Sequence, residues 1–109
     1  MGEQMSDLPL SSGARRHLRS LAHPLRPVVQ IGTEGLKDSL CHAVSTALEV
    51  HELIKVKLGR GFSGARESAA RDLSAATDSH VVQIIGRVVV LYRRREREDP
   101  SRPRIELPQ

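Results

Sequence analysis

The stretch Val28-Val29-Gln30-Ile31-Gly32-Thr33-Glu34-Gly35-Leu36 constrains this chain most. A β-branched apolar run stops at a glycine, two polar residues follow, and a second glycine precedes a helical pattern that opens at Leu36. The pattern reads as a buried strand feeding a short Gly-x-x-Gly loop onto a helix start. Such a corner can bring bare backbone N–H groups up to a phosphate. Glycine carries no side chain to block the approach, and a helix start adds partial positive charge.

The surrounding pattern supplies a frame for that corner. Ser11 or Ser12 can cap a first helix that runs to about Ala22. Ala14, Leu18, Leu21 and Ala22 form its inner stripe, while Arg15, Arg16 and Arg19 point elsewhere. Pro24 and Pro27 close it, and the first strand is Val28 to Ile31. A second helix is expected from about Lys37 to Val50, because Leu36, Leu40, Ala43, Val44, Ala47 and Leu48 recur at helical spacing. Lys37 is a poor cap. It is either a surface lysine of little cost or a cation made favourable by a docked phosphate.

Next, Leu53 to Leu58 alternates Ile54, Val56 and Leu58 with Lys55 and Lys57, a strand with one apolar and one basic face. A third helix is expected from about Ser63 to Thr77, then strands His80 to Ile85 and Val88 to Arg93. Between those strands Gly86-Arg87 suits a type II′ hairpin turn. The order α-β-α-β-α-β-β predicts an α/β fold with a mixed four-stranded sheet and helices on at least one face. Lys55 and Lys57 suggest that part of the other face stays open and basic. Residues 1–9 are expected as a flexible tail, 10–97 as the domain, and 98–109 as an extended tail rich in arginine and proline.

Charge narrows the partners. The net charge of +4 favours a polyanion, nucleic acid first and an anionic membrane second. No apolar run is long enough to span a bilayer, and Met1 to Leu10 lacks the pattern of a secretory signal. The single cysteine, Cys41, excludes an internal disulfide and suits a reducing compartment. A cytoplasmic protein with no membrane partner is expected. Phe62 and Tyr92 are the only aromatic residues, so stacking on unpaired bases is scarce, and phosphates and shape remain to be read.

The cations form three groups. Arg15, Arg16, Arg19 and Arg26 belong to the first helix and its exit, and Lys55 and Lys57 share a strand face. Arg87, Arg93, Arg94, Arg95 and Arg97 sit near the end, diluted by Glu96, Glu98 and Asp99. Phosphate contact is the reading for the first two groups and a solvated surface for the third. Gly59-Arg60-Gly61-Phe62-Ser63-Gly64 matches the dinucleotide fingerprint, but no acid stands at the end of the following strand to hold a ribose. A tight turn exposing Arg60 to RNA is the preferred reading. His17, His23, His42, His51 and His80 form no metal-ligand spacing with each other or with Cys41. No acid–base pair stands out, so no catalysis, metal or cofactor is expected.

Several segments together resemble a known family, the CRM domain (chloroplast RNA splicing and ribosome maturation). They are Leu18-Arg19-Ser20-Leu21-Ala22-His23-Pro24-Leu25-Arg26-Pro27-Val28-Val29-Gln30-Ile31-Gly32, then Gly35-Leu36, then His51-Glu52-Leu53-Ile54-Lys55-Val56-Lys57. Val82-Gln83-Ile84-Ile85-Gly86-Arg87, Val90-Leu91-Tyr92-Arg93 and Ile105-Glu106-Leu107-Pro108 continue the match. The size is similar to the stand-alone bacterial YhbY type. The resemblance implies a fold like the C-terminal domain of translation initiation factor 3, with sheet order 1-2-4-3 and strand four antiparallel to the rest. It also implies RNA binding through Gly32, Thr33, Glu34 and Gly35 with neighbouring basic surface. The implied partner is rRNA in precursors of the large ribosomal subunit. A monomer without an obligate small molecule is expected. Family loops often carry a basic residue between the glycines, which Thr33-Glu34 lacks, and many members have threonine where Lys37 stands. Two other readings stay open: a small nucleotide-binding domain using Gly59 to Gly64, and a ribosome-associated protein adaptor.

Overall fold

A computed structural model describes residues 10–108. The tail expected over 1–9 lies outside the described residues. The elements are α1 Ser12–Ala22, β1 Pro27–Ile31, α2 Asp38–His51, β2 Leu53–Leu58, α3 Arg66–Thr77, β3 His80–Ile85 and β4 Val88–Tyr92. The sheet order is β1-β2-β4-β3. β1 pairs parallel with β2, and β4 lies antiparallel to both β2 and β3. This is the topology that the resemblance implied.

Local chemistry accounts for most boundaries. The Ser11 hydroxyl accepts from the Ala14 N–H at 3.0 Å and starts α1. Gly86 has φ +56° while Arg87 stays outside the positive-φ region, as a type II′ turn requires. α3 starts at Arg66, three residues later than the alanine pattern suggests. The Arg87 guanidinium binds the carbonyls of Gly59 and Phe62 at 2.8 and 3.2 Å and holds the preceding segment as a loop. Gly64 beside the Phe62 ring adds a poor helix former there.

Both faces of the sheet are covered in part. Ile54, Val56 and Leu58 of β2, with Ile31, Val89 and Leu91, pack against Val44 and Leu48 of α2 and Ala69, Ala70 and Leu73 of α3. On the opposite face, Leu53, Val82, Val90 and Tyr92 receive Leu18 and Ala22 of α1, with Leu10, Ile105 and Leu107 alongside. Alternation along β2 therefore turns Lys55 and Lys57 toward the α1 face, as a period of two demands. That face is less open than the sequence suggested, because α1 and the C-terminal stretch lie on it.

The C-terminal stretch has no helix or strand, yet it is tied down by buried charge. Arg95 is buried rather than solvated. Its guanidinium donates to the carbonyls of Glu49 at 2.7 Å and Val50 at 2.6 Å, and also to that of Arg102. It thus caps the end of α2, where carbonyls lack partners and a cation suits the dipole. Glu52 is fully buried, and its carboxylate accepts the backbone N–H groups of Arg95 at 2.6 Å and Ile105 at 2.7 Å. Arg93 links Ser45 of α2 to the Thr77 carbonyl at the end of α3. The basic cluster near the C-terminus is thus partly internal scaffold.

Two outcomes follow for stability. Glu52→Ala leaves two N–H groups of the tail without acceptors, and about 3 kcal/mol of unfolding free energy should be lost in urea titration. A loss under about 0.5 kcal/mol would show that the tie carries no weight. Burial, with the Glu52 carboxylate second, pushes the Tyr92 hydroxyl above its ordinary value of 10.0, while Arg94 and Arg104 pull the other way. The unfolded chain then loses this proton first, so stability should fall as pH rises through the unfolded value toward the folded one. Tyr92→Phe should remove that part of the alkaline decline in thermal melts.

Candidate nucleic-acid interface

β1 and β2 run parallel, and β3 shares their direction because both β2 and β3 oppose β4. Their exits therefore lie at one end of the sheet. Residues 32–37, 59–65 and 86–87 form three adjacent connections there. Open α/β sheets commonly place ligands at such strand ends.

The first connection is a tight turn. The Gly35 N–H donates to the Gly32 carbonyl at 3.1 Å, and Gly35 adopts φ +68°. A β-carbon added at Gly32 or Gly35 would meet no protein atom beyond its chain neighbours within 4 Å. Both glycines thus leave their backbone open to an incoming group. Lys37 occupies the N-cap position of α2 without a capping side-chain bond. Its ammonium pairs instead with the Glu34 carboxylate. The acid between the glycines is therefore neutralised locally.

The second connection leans on the first. The Gly59 N–H donates to the Ile31 carbonyl at 2.8 Å. A β-carbon at Gly59 would fall 2.7 Å from the Gln30 amide nitrogen and 2.9 Å from the Ile31 carbonyl oxygen. One at Gly61 would strike Thr33. These glycines let two loops touch. Arg87 braces this loop through the carbonyls of Leu58, Gly59 and Phe62. Arg66 reaches the Gly86 carbonyl at 2.9 Å and ties in the third connection. No local sequence signal marks these two braces, since each joins residues 20 or more apart. Arg60 projects from the braced loop, exposed and with no hydrogen bond or ion pair among the described residues.

The remaining cations divide. Lys55 donates to the carbonyls of His23 at 3.2 Å and Leu25 at 3.0 Å, where it finishes α1. Arg15 donates to the carbonyls of Val81 at 2.7 Å and Val82 at 2.9 Å, beside the irregular register between Val81 and Gln83. Both hold elements together. Arg16, Arg19, Arg26 and Lys57 are exposed and unpaired among the described residues. Lys57 stands beside Gln30 in the β1–β2 register and Arg26 just before β1, nearest to the glycine corner along the chain. Arg16 and Arg19 sit on α1, which packs over β2, β3 and β4.

Two further features bear on chemistry. A cavity of about 960 Å³ lies at the start of α1, among Leu10, Ala14, Tyr92, Arg104, Ile105 and Leu107. It is built on the C-terminal stretch and has none of the glycine loops in its walls. Among the described residues, no group of three or more His, Cys, Asp or Glu side chains could hold a metal ion, and no helix is long and apolar enough to cross a membrane.

Comparison with known proteins fits this arrangement. Residues 10–93 match the family model of the CRS1 / YhbY (CRM) domain. The chain belongs to the CRM family. Among its relatives is a Bacillus subtilis protein named "Probable RNA-binding protein YqeI", 36% identical over 91% of this chain and 99% of that one. A Haemophilus influenzae protein named "RNA-binding protein" is 36% identical over 87% of this chain and 96% of that one. The solution structure of SAV1595 from Staphylococcus aureus superposes with TM-score 0.72 at 38% identity, covering 92% of this chain and all of that one. In this chain the Glu34–Lys37 pair offsets the loop's acid from the helix start.

The glycines should respond differently to substitution. Gly59→Ala forces a backbone carbonyl to shift and should cost about 1–3 kcal/mol in urea unfolding. Gly35→Ala, at positive φ, should cost about 1 kcal/mol. Gly32→Ala should stay within about 0.5 kcal/mol of the parent, and a larger loss there would contradict the open corner.

Proposed function

We propose that the chain is a non-catalytic RNA-binding protein that assists assembly of the large ribosomal subunit from the cytoplasm, acting as a monomer on rRNA. RNA phosphates dock at Gly32, Thr33, Glu34 and Gly35, beside a start of α2 that has no side-chain cap. The Gly35 N–H is held by the Gly32 carbonyl, so the other amides of the turn are the ones left for phosphate. Lys37, Arg60, Lys57 and Arg26 draw the strand in, and Arg16 and Arg19 add longer-range attraction from α1. Lys55 and Arg15, both committed to carbonyls, hold this surface in shape and add field rather than direct contacts. The observation that carries the reading is the clear space at the β-carbon positions of Gly32 and Gly35, beside the loop that carries Arg60, unpaired among the described residues. The relatives' names point the same way. No cofactor has a part in it.

Phosphate contact displaces condensed counterions, so affinity for a structured rRNA fragment should fall steeply with salt and vary little with sequence. A flat salt response would contradict the proposal. Gly32→Leu tests the corner itself, because its side chain would start from a β-carbon position clear of protein atoms and extend into the proposed ligand space. It should weaken binding about tenfold or more with the fold intact by circular dichroism. Lys37→Glu should weaken binding and Glu34→Lys should strengthen it, each shifting the salt slope by about 1. Unchanged affinity in both would remove that pair from the site. For the place of action, the tagged protein should sediment with large-subunit precursors and leave them after RNase treatment. Retention with ribosomal proteins after digestion would favour an adaptor instead.

A further inference from the structure

We propose that this site takes an extended single strand of RNA, laid along β1 from the Gly32 corner to Arg26, rather than a double helix. The proposal rests on the RNA-binding reading above and deepens it by naming the form of nucleic acid.

The strip is visible in the packing. On the α1 face, the helix lies over β2, β4 and β3, and β1 is left as an uncovered edge. Val28, at the register irregularity between Pro27 and Val29, is 51% exposed, and Gln30 is exposed as well. A shallow groove of about 410 Å³ follows this edge, lined by Arg26, Pro27, Val28, Val29, Gln30 and Lys57. The strand runs out of the groove directly into Gly32, and Gln30 touches the second glycine loop at Gly59. The groove and the glycine corner are therefore one continuous surface.

Its chemistry selects a polyanion. No Asp or Glu occurs from Ser11 to Thr33, and none occurs in β2. Arg26 and Lys57 stand in the groove with no partner among the described residues, and Arg60 stands at its end. Nothing in the strip repels phosphate. From Arg26 to Gly32 the chain covers about 20 Å at the usual rise of a strand.

Shape decides between one strand and two. An A-form duplex is gripped across successive grooves, over a length of about 16 base pairs, through phosphates on both of its strands. A single file of cations along one strand edge offers contacts to one backbone. Duplex bases are also buried in their own stack, whereas Val28 and Pro27 form an apolar floor that only an unpaired base can use. As a side chain without a π-face, valine contributes modest and sequence-tolerant contact. The outer edge of β1 adds backbone groups free of ladder pairing, which can meet base edges.

The test is fluorescence anisotropy with a labelled short oligouridylate, a labelled oligoadenylate and a labelled RNA duplex of matching length. The protein is used as the parent and as Arg26→Glu, Lys57→Glu, Val28→Glu and Gly32→Leu, each checked for folding by circular dichroism. The parent should bind both single strands about tenfold or more tighter than the duplex. Arg26→Glu and Lys57→Glu should each weaken single-strand binding several-fold and lower the salt slope by about 1. Val28→Glu, which puts a carboxylate in the middle of the strip, should weaken it about tenfold. Tighter binding of the duplex overturns the proposal. So does parent-like affinity of the Arg26, Lys57 and Val28 variants while Gly32→Leu is impaired, a result that leaves RNA binding at the corner standing. Parent-like affinity in all four variants, or no binding by the parent, overturns the corner and the strip together.

Discussion

One hydrogen bond sets the arrangement of the site: the Gly59 N–H donating to the Ile31 carbonyl at 2.8 Å. It extends the parallel β1–β2 pairing one rung past the strands. The exits of two strand–helix connections are thereby held against each other. Glycine is required at positions 59 and 61 because Gln30, Ile31 and Thr33 occupy the space where β-carbons would stand. At positions 32 and 35 the same residue type serves the opposite end, since nothing of the protein fills the space beside them. One pair of glycines closes the protein on itself, and the other leaves it open to a ligand.

A basic protein of this size has to keep its cations from being used up by its own carbonyls. Here the division is clear. Arg87 braces the second loop, Arg93 joins α2 to α3, Arg95 caps α2, Lys55 finishes α1 and Arg15 satisfies two carbonyls of β3. Each spends its charge on backbone oxygens at helix ends, turns or register irregularities, where ordinary ladders leave acceptors unpaired. Of the cations left unpaired among the described residues, Arg26, Lys57 and Arg60 lie along the β1 edge and its exit, while Arg16 and Arg19 stand on α1. The structural cations thus tie the frame together, and three of the free ones stand where it is open. A charged, uncovered edge suits recognition of a backbone better than chemistry on a small molecule.

Element order, the strand ends and the hairpin turn were legible because they depend on neighbours in sequence. Ser11 capping, the alternation in β2 and Gly86 at positive φ are all local rules. The start of α3 was misread because an alanine-rich pattern extends through Gly64, while the loop is held from Arg87, more than 20 residues away. Lys55 read as a phosphate ligand, since alternation gives only its face; its partners sit 30 and 32 residues earlier. Arg95 read as solvated, because dilution by acids says nothing about a buried tie to Glu49 and Val50. The Glu34–Lys37 pair was within reach of sequence reasoning, as residues three apart at a turn and helix start can meet.

The central claim is that exposed main-chain amides at the Gly32–Gly35 corner meet RNA phosphate. Its most direct measurement is a titration of the isotope-labelled protein with a short RNA single strand, followed by amide NMR shifts. The expected result is that the amides of Gly32, Thr33, Glu34, Gly35 and Arg60 move first and furthest, with Val28 and Gln30 following as the edge strand is covered. Shifts confined to the cavity beside Leu10, Tyr92 and Ile105, with the corner amides still, would contradict it.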